Sequence, residues 1–348
     1  MKALVYRGPG KRMFEEVPEP KIIDPGDAIV RVDAVTICGT DLHILKGDVP
    51  TCEEGRILGH EAVGTVEEVG AGVRSLVAGD RVLISCITAC GRCRFCREGR
   101  YGQCVGGGGW ILGHRIDGTQ AERVRVPFAD TSTYQLAESV SDESALMLAD
   151  ILPTAYEVGV LAGRVGPAGT VAVVGAGPIG LAAITTARLL SPSRIIAIDP
   201  AASRREAAER FGADITMDPA SATEERMQEL TGGLGVDVMI EAVGIPETFE
   251  LCTSLVRPCG HVANIGVHGK PATLHLETLW IKDVTITTGL VDTFSMPTLL
   301  RMVESGQLDT SKFITHHFGF EEIEDAYDVF SRPQDTEALK VALLGRRV

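Results

Sequence analysis

The sequence has no basic footprint: 33 Lys and Arg stand against 47 Asp and Glu, a net charge of −14. A long polyanion or an anionic membrane surface needs concentrated positive charge, so neither nucleic acid nor membrane is expected as a partner. Arg92, Arg94, Arg97 and Arg100 come closest to a basic cluster. Cysteines and glycines interrupt them, and they read as the solvated rim of a metal loop. Long apolar runs are missing too. No uninterrupted apolar stretch reaches the roughly 18 residues of a membrane span. The opening Met1-Lys2-Ala3-Leu4-Val5-Tyr6-Arg7 has no apolar centre of a secretory leader. Low-complexity tracts and internal repeats are absent as well. The expected compartment is the cytoplasm. There, nine cysteines are better explained as metal ligands or small buried side chains than as disulfides.

What is present is a chain of 348 residues, 45% hydrophobic, with 39 Gly and 17 Pro, enough for two domains with separate cores. Up to about residue 148 short β-like runs, such as Ala28-Ile29-Val30-Arg31-Val32 and Arg81-Val82-Leu83-Ile84, are broken by Gly, Pro and Asp. That texture predicts a β-barrel-like domain. Beyond Pro153, apolar strands such as Thr170-Val171-Ala172-Val173-Val174 alternate with helical periodicity, the mark of βαβ units and a parallel sheet. The tail regains mixed character and ends in the strand-like Leu339-Lys340-Val341-Ala342-Leu343-Leu344. The expectation is an α/β chain. Its β-rich domain spans 1–152 with a metal lobe at about 86–106, a doubly wound domain is inserted at 153–294, and the tail 295–348 rejoins the first domain.

Directly after the apolar strand comes Gly175-Ala176-Gly177-Pro178-Ile179-Gly180, and directly after it a helix. In that context the glycines make a dinucleotide loop. Gly175 turns, Gly177 lets pyrophosphate approach the backbone, and Gly180 lets helix and strand pack closely. The pyrophosphate would lie on the helix N-terminus. Asp199 closes the next strand, where a carboxylate binds ribose hydroxyls and repels a 2′-phosphate. This favours NAD over NADP, with Arg204 and Arg205 as the opposing feature. The plainer readings are a ligand-free turn and, for Asp199, a helix-start residue.

Cys90, Cys93, Cys96 and Cys104 are spaced C-x2-C-x2-C-x7-C, which suits a closed tetrahedral zinc site of structural type. Iron–sulfur spacing is tighter and followed by Pro. A catalytic zinc keeps three protein ligands and an open position. Cys38, in Ile37-Cys38-Gly39-Thr40-Asp41, and His60, in Gly59-His60-Glu61, are candidates. Spacing alone does not choose a third among the many carboxylates, and either residue by itself could be packed structure.

Taken together, these motifs resemble the zinc-dependent medium-chain alcohol dehydrogenases over essentially the whole chain. The resemblance implies a GroES-like β-barrel catalytic domain with an inserted Rossmann domain, and two zinc ions per subunit. It implies Cys38 and His60 as ligands of the catalytic zinc, with Glu61 just behind the ligands or as an exchangeable fourth ligand. The remaining ligand would be Asp150, in Leu148-Ala149-Asp150-Ile151-Leu152-Pro153-Thr154, as in the bacterial secondary alcohol dehydrogenases. Gly108-Gly109-Trp110 is similar to that branch, where the tryptophan lines the substrate pocket; the plainer reading of Trp110 is core. The chain departs from some members of that branch in keeping the four-cysteine lobe. Thr154, Val243, Ile265-Gly266-Val267 and Gly289-Leu290-Val291 fall where relatives approach the cofactor.

The implied chemistry is hydride transfer between an alcohol and NAD, giving ketone or aldehyde, with zinc lowering the pKa of the hydroxyl. Thr40 would take the alcohol proton and relay it towards His43. The plainer readings are a strand-end threonine and a surface imidazole. His114, His261, His268, His275, His316 and His317 carry no motif. Polyol and threonine dehydrogenases share most of these features, but the Asp150 and Trp110 context favours a secondary or hydrophobic alcohol. The chain is short for glutathione-dependent formaldehyde oxidation. A zinc-free quinone reductase would lack both cysteine motifs. A catalytically silent NAD-binding redox sensor would bind cofactor without turnover. The run 284–288 could pair as an edge strand across a two-fold axis, in a homo-oligomer for which the resemblance favours a tetramer over a dimer.

Overall fold

A computed structural model describes residues 1–345, which fold as two compact units. One comprises Met1–Asp150 together with the chain from Asp292 onward; the other is Ile151–Val291.

The first unit is built on a sheet whose strands lie in the order Ile314–Gly319, Lys340–Leu344, Ala28–Thr36, Ala62–Val69, Arg81–Ile84 and Thr133–Gln135, with Arg123–Val126 also paired to Ala28–Thr36. Neighbours are antiparallel except for the parallel pair Ile314–Gly319 and Lys340–Leu344. The register between Ala28–Thr36 and Ala62–Val69 shifts between Ile29 and Val30 and again between Val32 and Ala34. Such bulges bend a sheet and deepen its twist, which suits barrel-like curvature. Val30, Val35, Leu58, Val66, Val82, Leu112, Val341 and Leu343 fill its core, each buried aliphatic side chain contributing about 1.5–3 kcal/mol. The late strand Lys340–Leu344 is not peripheral. Ala342 pairs with Thr36 and Leu343 with Val35, so this strand lies inside the sheet, between Ile314–Gly319 and Ala28–Thr36.

The second unit holds six parallel strands in the order Ile215–Met217, Arg194–Ile198, Thr170–Val174, Val236–Glu241, Val256–Asn264 and Thr285–Thr288. Successive strands step outward one way from Thr170–Val174 and then the other way from Val236–Glu241. The chain therefore reverses between these two neighbours, the topological switch point at which such sheets bind ligands. All five residues of Thr170–Val174 are buried, as covering on both faces requires. The expected strands and the helices Pro178–Arg188, Ala202–Arg210 and Pro246–Leu255 are in place. Sequence patterning did not find Ile215–Met217, a strand of three residues. Thr285–Thr288 closes the sheet as a largely exposed edge.

One helical stretch, Asp142–Leu161, is long and apolar enough by length and composition to cross a membrane, although no uninterrupted apolar run marks it; 72% of its most apolar window is buried inside the protein.

Candidate active site and metal centres

The first strand of the main sheet, Ala28–Thr36, delivers Cys38 to the start of the helix Gly39–Lys46, where its extended backbone makes it the N-cap. Asp41 locks that turn: its Oδ2 accepts from Cys38 N at 2.9 Å and from Gln120 Nε2 at 3.1 Å. Gln120 is held in turn by Tyr327, whose hydroxyl donates to Gln120 Oε1 at 2.8 Å. His60 and Glu61 immediately precede the strand Ala62–Val69, and Asp150 immediately precedes the helix Ile151–Thr154.

These placements bring three donors together. Asp150 Oδ2 lies 3.6 Å from Cys38 Sγ and 3.5 Å from His60 Nε2. The donor atoms of Cys38, His60 and Asp150 all fall within 4.8 Å of one another. Burial would push the His60 imidazole down, but Asp150, Cys38 and Asp41 outweigh it and raise its pKa well above the ordinary value. Burial raises the Cys38 thiol, with Glu61 adding to the effect. A half-buried thiol, a buried imidazole and a half-buried carboxylate facing one another, with acidic groups behind, form a set whose anionic members repel and that a soft-to-borderline dication satisfies. The residues present fit a zinc ion.

Glu61 is not part of that set. Its Oε2 is 2.7 Å from Lys340 Nζ, which also donates to Ile37 O at 2.9 Å, and both side chains are 1% exposed. Burial alone would lower the Lys340 ammonium; Glu61 and Cys38 raise its pKa instead. Glu61 Oε1 is buried without a hydrogen-bond partner. Thr40 Oγ1 lies 3.6 Å from Cys38 Sγ. His43, on the same helix, is about one-third exposed, with Nδ1 2.8 Å from Asp48 Oδ2. Trp110 packs in part against the core and presents its ring edge-on to His60, the centroids 6.3 Å apart. Its other neighbour is His114, stacked at 4.2 Å and held by Thr51 Oγ1 at 2.6 Å from Nε2.

The four lobe cysteines also converge within 4.8 Å. Cys90 and Cys96 sulfurs are 3.9 Å apart and those of Cys93 and Cys104 4.0 Å, far beyond a disulfide bond, and all nine cysteines are free thiols. Backbone N–H groups of Cys93, Cys96 and Cys90 point at the sulfurs of Cys90, Cys93 and Cys104 at 3.4–3.5 Å. Hydrogen bonding from Cys96 N leads the causes that lower Cys93 to about 6, while burial leads those that push Cys96 up to about 12. Four sulfurs with no other donor in the group suit a closed structural zinc. Arg92, Arg94, Arg97 and Arg100 are all exposed on this lobe.

In the second unit the glycine loop follows Thr170–Val174 at the switch point. Gly175 has φ +94°, a conformation natural to glycine. A Cβ at Gly180 would overlap the Gly175 carbonyl oxygen, whereas one at Gly177 would meet nothing within 4 Å. Pro178 opens the helix Pro178–Arg188 and Ile179 follows it. Gly177 at the cap therefore faces open space without being needed by the fold. Gly177→Val is expected to move the melting temperature by no more than about 2 °C and to weaken NADH binding at least ~10-fold by blocking the helix N-terminus. Fluorescence titration checks this, and an unchanged Kd would remove the loop from the cofactor site. Asp199 Oδ2 accepts from Ala176 N at 2.8 Å and Oδ1 from Ala201 N at 2.9 Å, so it braces both the glycine loop and the start of the helix Ala202–Arg210. Arg205 is engaged with the Asp199 and Pro200 carbonyls. Burial lowers Arg204, against the pull of Asp199. Val243, Val267 and Leu290 are exposed apolar side chains, while Ile265 and Val291 are buried. Gly266 lies close to Glu241 and Gly244, Gly289 is open, and Thr154 ends the helix Ile151–Thr154.

Asp41, Cys86, His114, Gln120, Tyr327 and Lys340 surround the site without having been singled out from sequence. Lys340 had a signal, a lone charge in an apolar strand. Asp41 stood inside a quoted motif with no role given to it.

Two family models match the chain: the alcohol dehydrogenase GroES-like domain over residues 24–136 and the zinc-binding dehydrogenase over residues 178–305. An alcohol dehydrogenase of Cupriavidus necator is 37% identical over 364 residues, covering 99% of this chain and 98% of that protein. Among solved structures, zinc dependent alcohol dehydrogenase 2 from Streptococcus pneumonia, in its apo form, superimposes with a TM-score of 0.96 at 49% identity, covering 100% of this chain and 99% of that one. Alcohol dehydrogenase TADH from Thermus sp. ATN1 gives a TM-score of 0.92 at 38% identity, covering 99% and 100%.

Proposed function

Because the chain belongs to the zinc-dependent medium-chain alcohol dehydrogenase family, whose members transfer hydride, we propose that it oxidises secondary or otherwise hydrophobic alcohols with NAD, and reduces the corresponding ketones or aldehydes. The observation that carries this reading is the convergence of Cys38, His60 and Asp150 donor atoms within 4.8 Å. When bound there, zinc supplies Lewis acidity that eases loss of the hydroxyl proton, and NAD supplies the hydride acceptor. Cys38, His60 and Asp150 would hold the metal, and Cys90, Cys93, Cys96 and Cys104 a second, structural ion. Glu61, paired to Lys340, stays outside the ligand set and steadies the charge behind it.

The remaining roles fall to this chain's own side chains. Thr40 accepts the proton of the substrate hydroxyl and passes it on, and His43, bonded to Asp48 and partly exposed, delivers it towards solvent. Trp110 gives the substrate a flat apolar wall, which a polyol would meet poorly. The loop Gly175–Gly180 seats the pyrophosphate with Pro178 and Ile179 beneath it. Asp199 serves the ribose and disfavours a 2′-phosphate. Thr154, Arg204, Val243, Ile265, Gly266, Val267, Gly289, Leu290 and Val291 complete the cofactor surface; exposed Val243, Val267 and Leu290 gain a cover when it binds. Nine free thiols suit the cytoplasm. The edge Thr285–Thr288, with Trp280 73% exposed and Ile281 69% exposed nearby in the chain, supports pairing between copies and a homo-oligomer, for which we favour a tetramer.

The test is NADH formation by zinc-loaded protein on 2-propanol, 2-octanol and glycerol, with NADP in parallel and the particle mass measured by light scattering. Turnover of the first two alcohols with NAD is expected, at least ~10-fold above glycerol or NADP. No NADH from any alcohol would leave the silent redox sensor. Preference for glycerol would make the enzyme a polyol dehydrogenase, and the mass of a single chain would exclude the oligomer.

A further inference from the structure

Asp150 turns its two oxygens to different neighbours. Oδ2 lies 3.6 Å from Cys38 Sγ and 3.5 Å from His60 Nε2. Oδ1 receives the thiol of Cys86, with Sγ at 3.6 Å. Cys86 is 3% exposed and is not among the donors that converge within 4.8 Å. Its backbone is fixed to the same segment, for Cys86 N donates to Ala149 O at 3.2 Å. The strand Arg81–Ile84 enters this turn through Ser85, whose Oγ accepts from Ile87 N at 3.2 Å. The thiol thus reaches Asp150 from a rigid strand end, tied by main chain to the residue before it.

A carboxylate can offer a metal one oxygen or two. A donor occupying Oδ1 leaves Oδ2 as the oxygen aimed at the partner ligands, and outer hydrogen bonds of this sort orient ligands and set metal affinity. Building on the reading of Cys38, His60 and Asp150 as a metal site, we propose that Cys86 is a positioning residue: its thiol, by donating to Asp150 Oδ1, holds the carboxylate as a one-oxygen ligand. The thiol is a weak donor, so its effect is orientation. Serine retains a donor at this position; alanine and valine do not.

The experiment compares full-length wild type with Cys86→Ser, Cys86→Ala and Cys86→Val, and with Asp150→Ala as reference. Two readouts are the rate at which a chelator removes the Asp150-dependent zinc and the visible spectrum after cobalt substitution. Cys86→Ala and Cys86→Val are expected to lose that metal about 10–100-fold faster, and Cys86→Ser to stay within about 3-fold of wild type. The ligand-field bands should shift in the first two and persist in the serine variant, with the four-cysteine ion unmoved throughout. Equal rates in the alanine and serine variants, whether both slow or both fast, overturn the proposal, because the donor then has no part. A drop in cobalt–thiolate absorption in Cys86→Ser overturns it differently, by making Cys86 a ligand. If wild type carries only a metal that Asp150→Ala does not disturb, the metal reading falls and this inference with it. If wild type carries both ions and the Cys86 variants match it, this inference alone falls.

Discussion

Replacing Asp150 by alanine is expected to cut the zinc content from two ions per chain, one for each donor cluster, to one. It should also lower kcat/KM for alcohol oxidation by at least ~1000-fold, the equivalent of about 4 kcal/mol of lost transition-state stabilisation. The remaining ion belongs to Cys90, Cys93, Cys96 and Cys104, so the melting temperature of the protein should fall little. The reason is local. Asp150 is the acidic member of the trio, and its carboxylate lies 3.5–3.6 Å from Cys38, His60 and Cys86 alike. Without it a thiol and an imidazole remain, one short of the three protein ligands a catalytic zinc needs. Elemental analysis and steady-state kinetics on the same preparation decide the matter. A variant that keeps both ions and its turnover would remove Asp150 from the ligand set and make Glu61 the residue to examine next.

Lys340→Met should have the largest effect on stability. The ammonium is paired with Glu61 at 2.7 Å, both side chains are 1% exposed, and Glu61 already has one oxygen without a hydrogen-bond partner. Removing the lysine leaves a buried carboxylate with no counter-charge and the Ile37 carbonyl without its side-chain donor. Breaking such a pair costs about 3–5 kcal/mol, or roughly 10 °C in melting temperature. Exchanging both partners, Glu61→Gln with Lys340→Met, removes the uncompensated charge and should recover most of the loss. Thermal unfolding of the two variants measures this. A single variant as stable as wild type, or a double variant no better than the single, would show that the pair does not neutralise a buried charge.

These residues also mark the limit of sequence reading. Local signals were legible. Thr170–Val174 reads as a buried strand because Val171, Ala172, Val173 and Val174 form an unbroken apolar run, and the glycine loop follows within the same βα unit. The four lobe cysteines declare themselves because all lie in one short loop. The catalytic trio is different. Asp150 is 112 residues from Cys38, and no periodicity links a carboxylate at one helix start to a thiol at another; only the family resemblance selected it. Lys340 stood out as a charge within an apolar strand, yet its partner Glu61 lies 279 residues away. Asp41, Gln120 and Tyr327 form a buried relay of hydrogen bonds whose members are ordinary in sequence, since hydrogen bonding between distant segments leaves no mark on spacing.

The place of Lys340–Leu344 inside the first sheet, beside Ala28–Thr36, has a consequence for biosynthesis. Residues Ile151–Val291 are contiguous and can collapse as soon as they emerge, but the first unit lacks an interior strand until Lys340–Leu344 is made. At 5–20 residues per second, Glu61 waits roughly 15–55 s for the lysine that neutralises it. Meanwhile the edge of Ala28–Thr36 that will receive Lys340–Leu344 stays open to wrong partners. The ion pair behind the metal ligands thus closes only long after Cys38, His60 and Asp150 have been made, and the nascent chain depends on its surroundings to keep that edge unpaired until then.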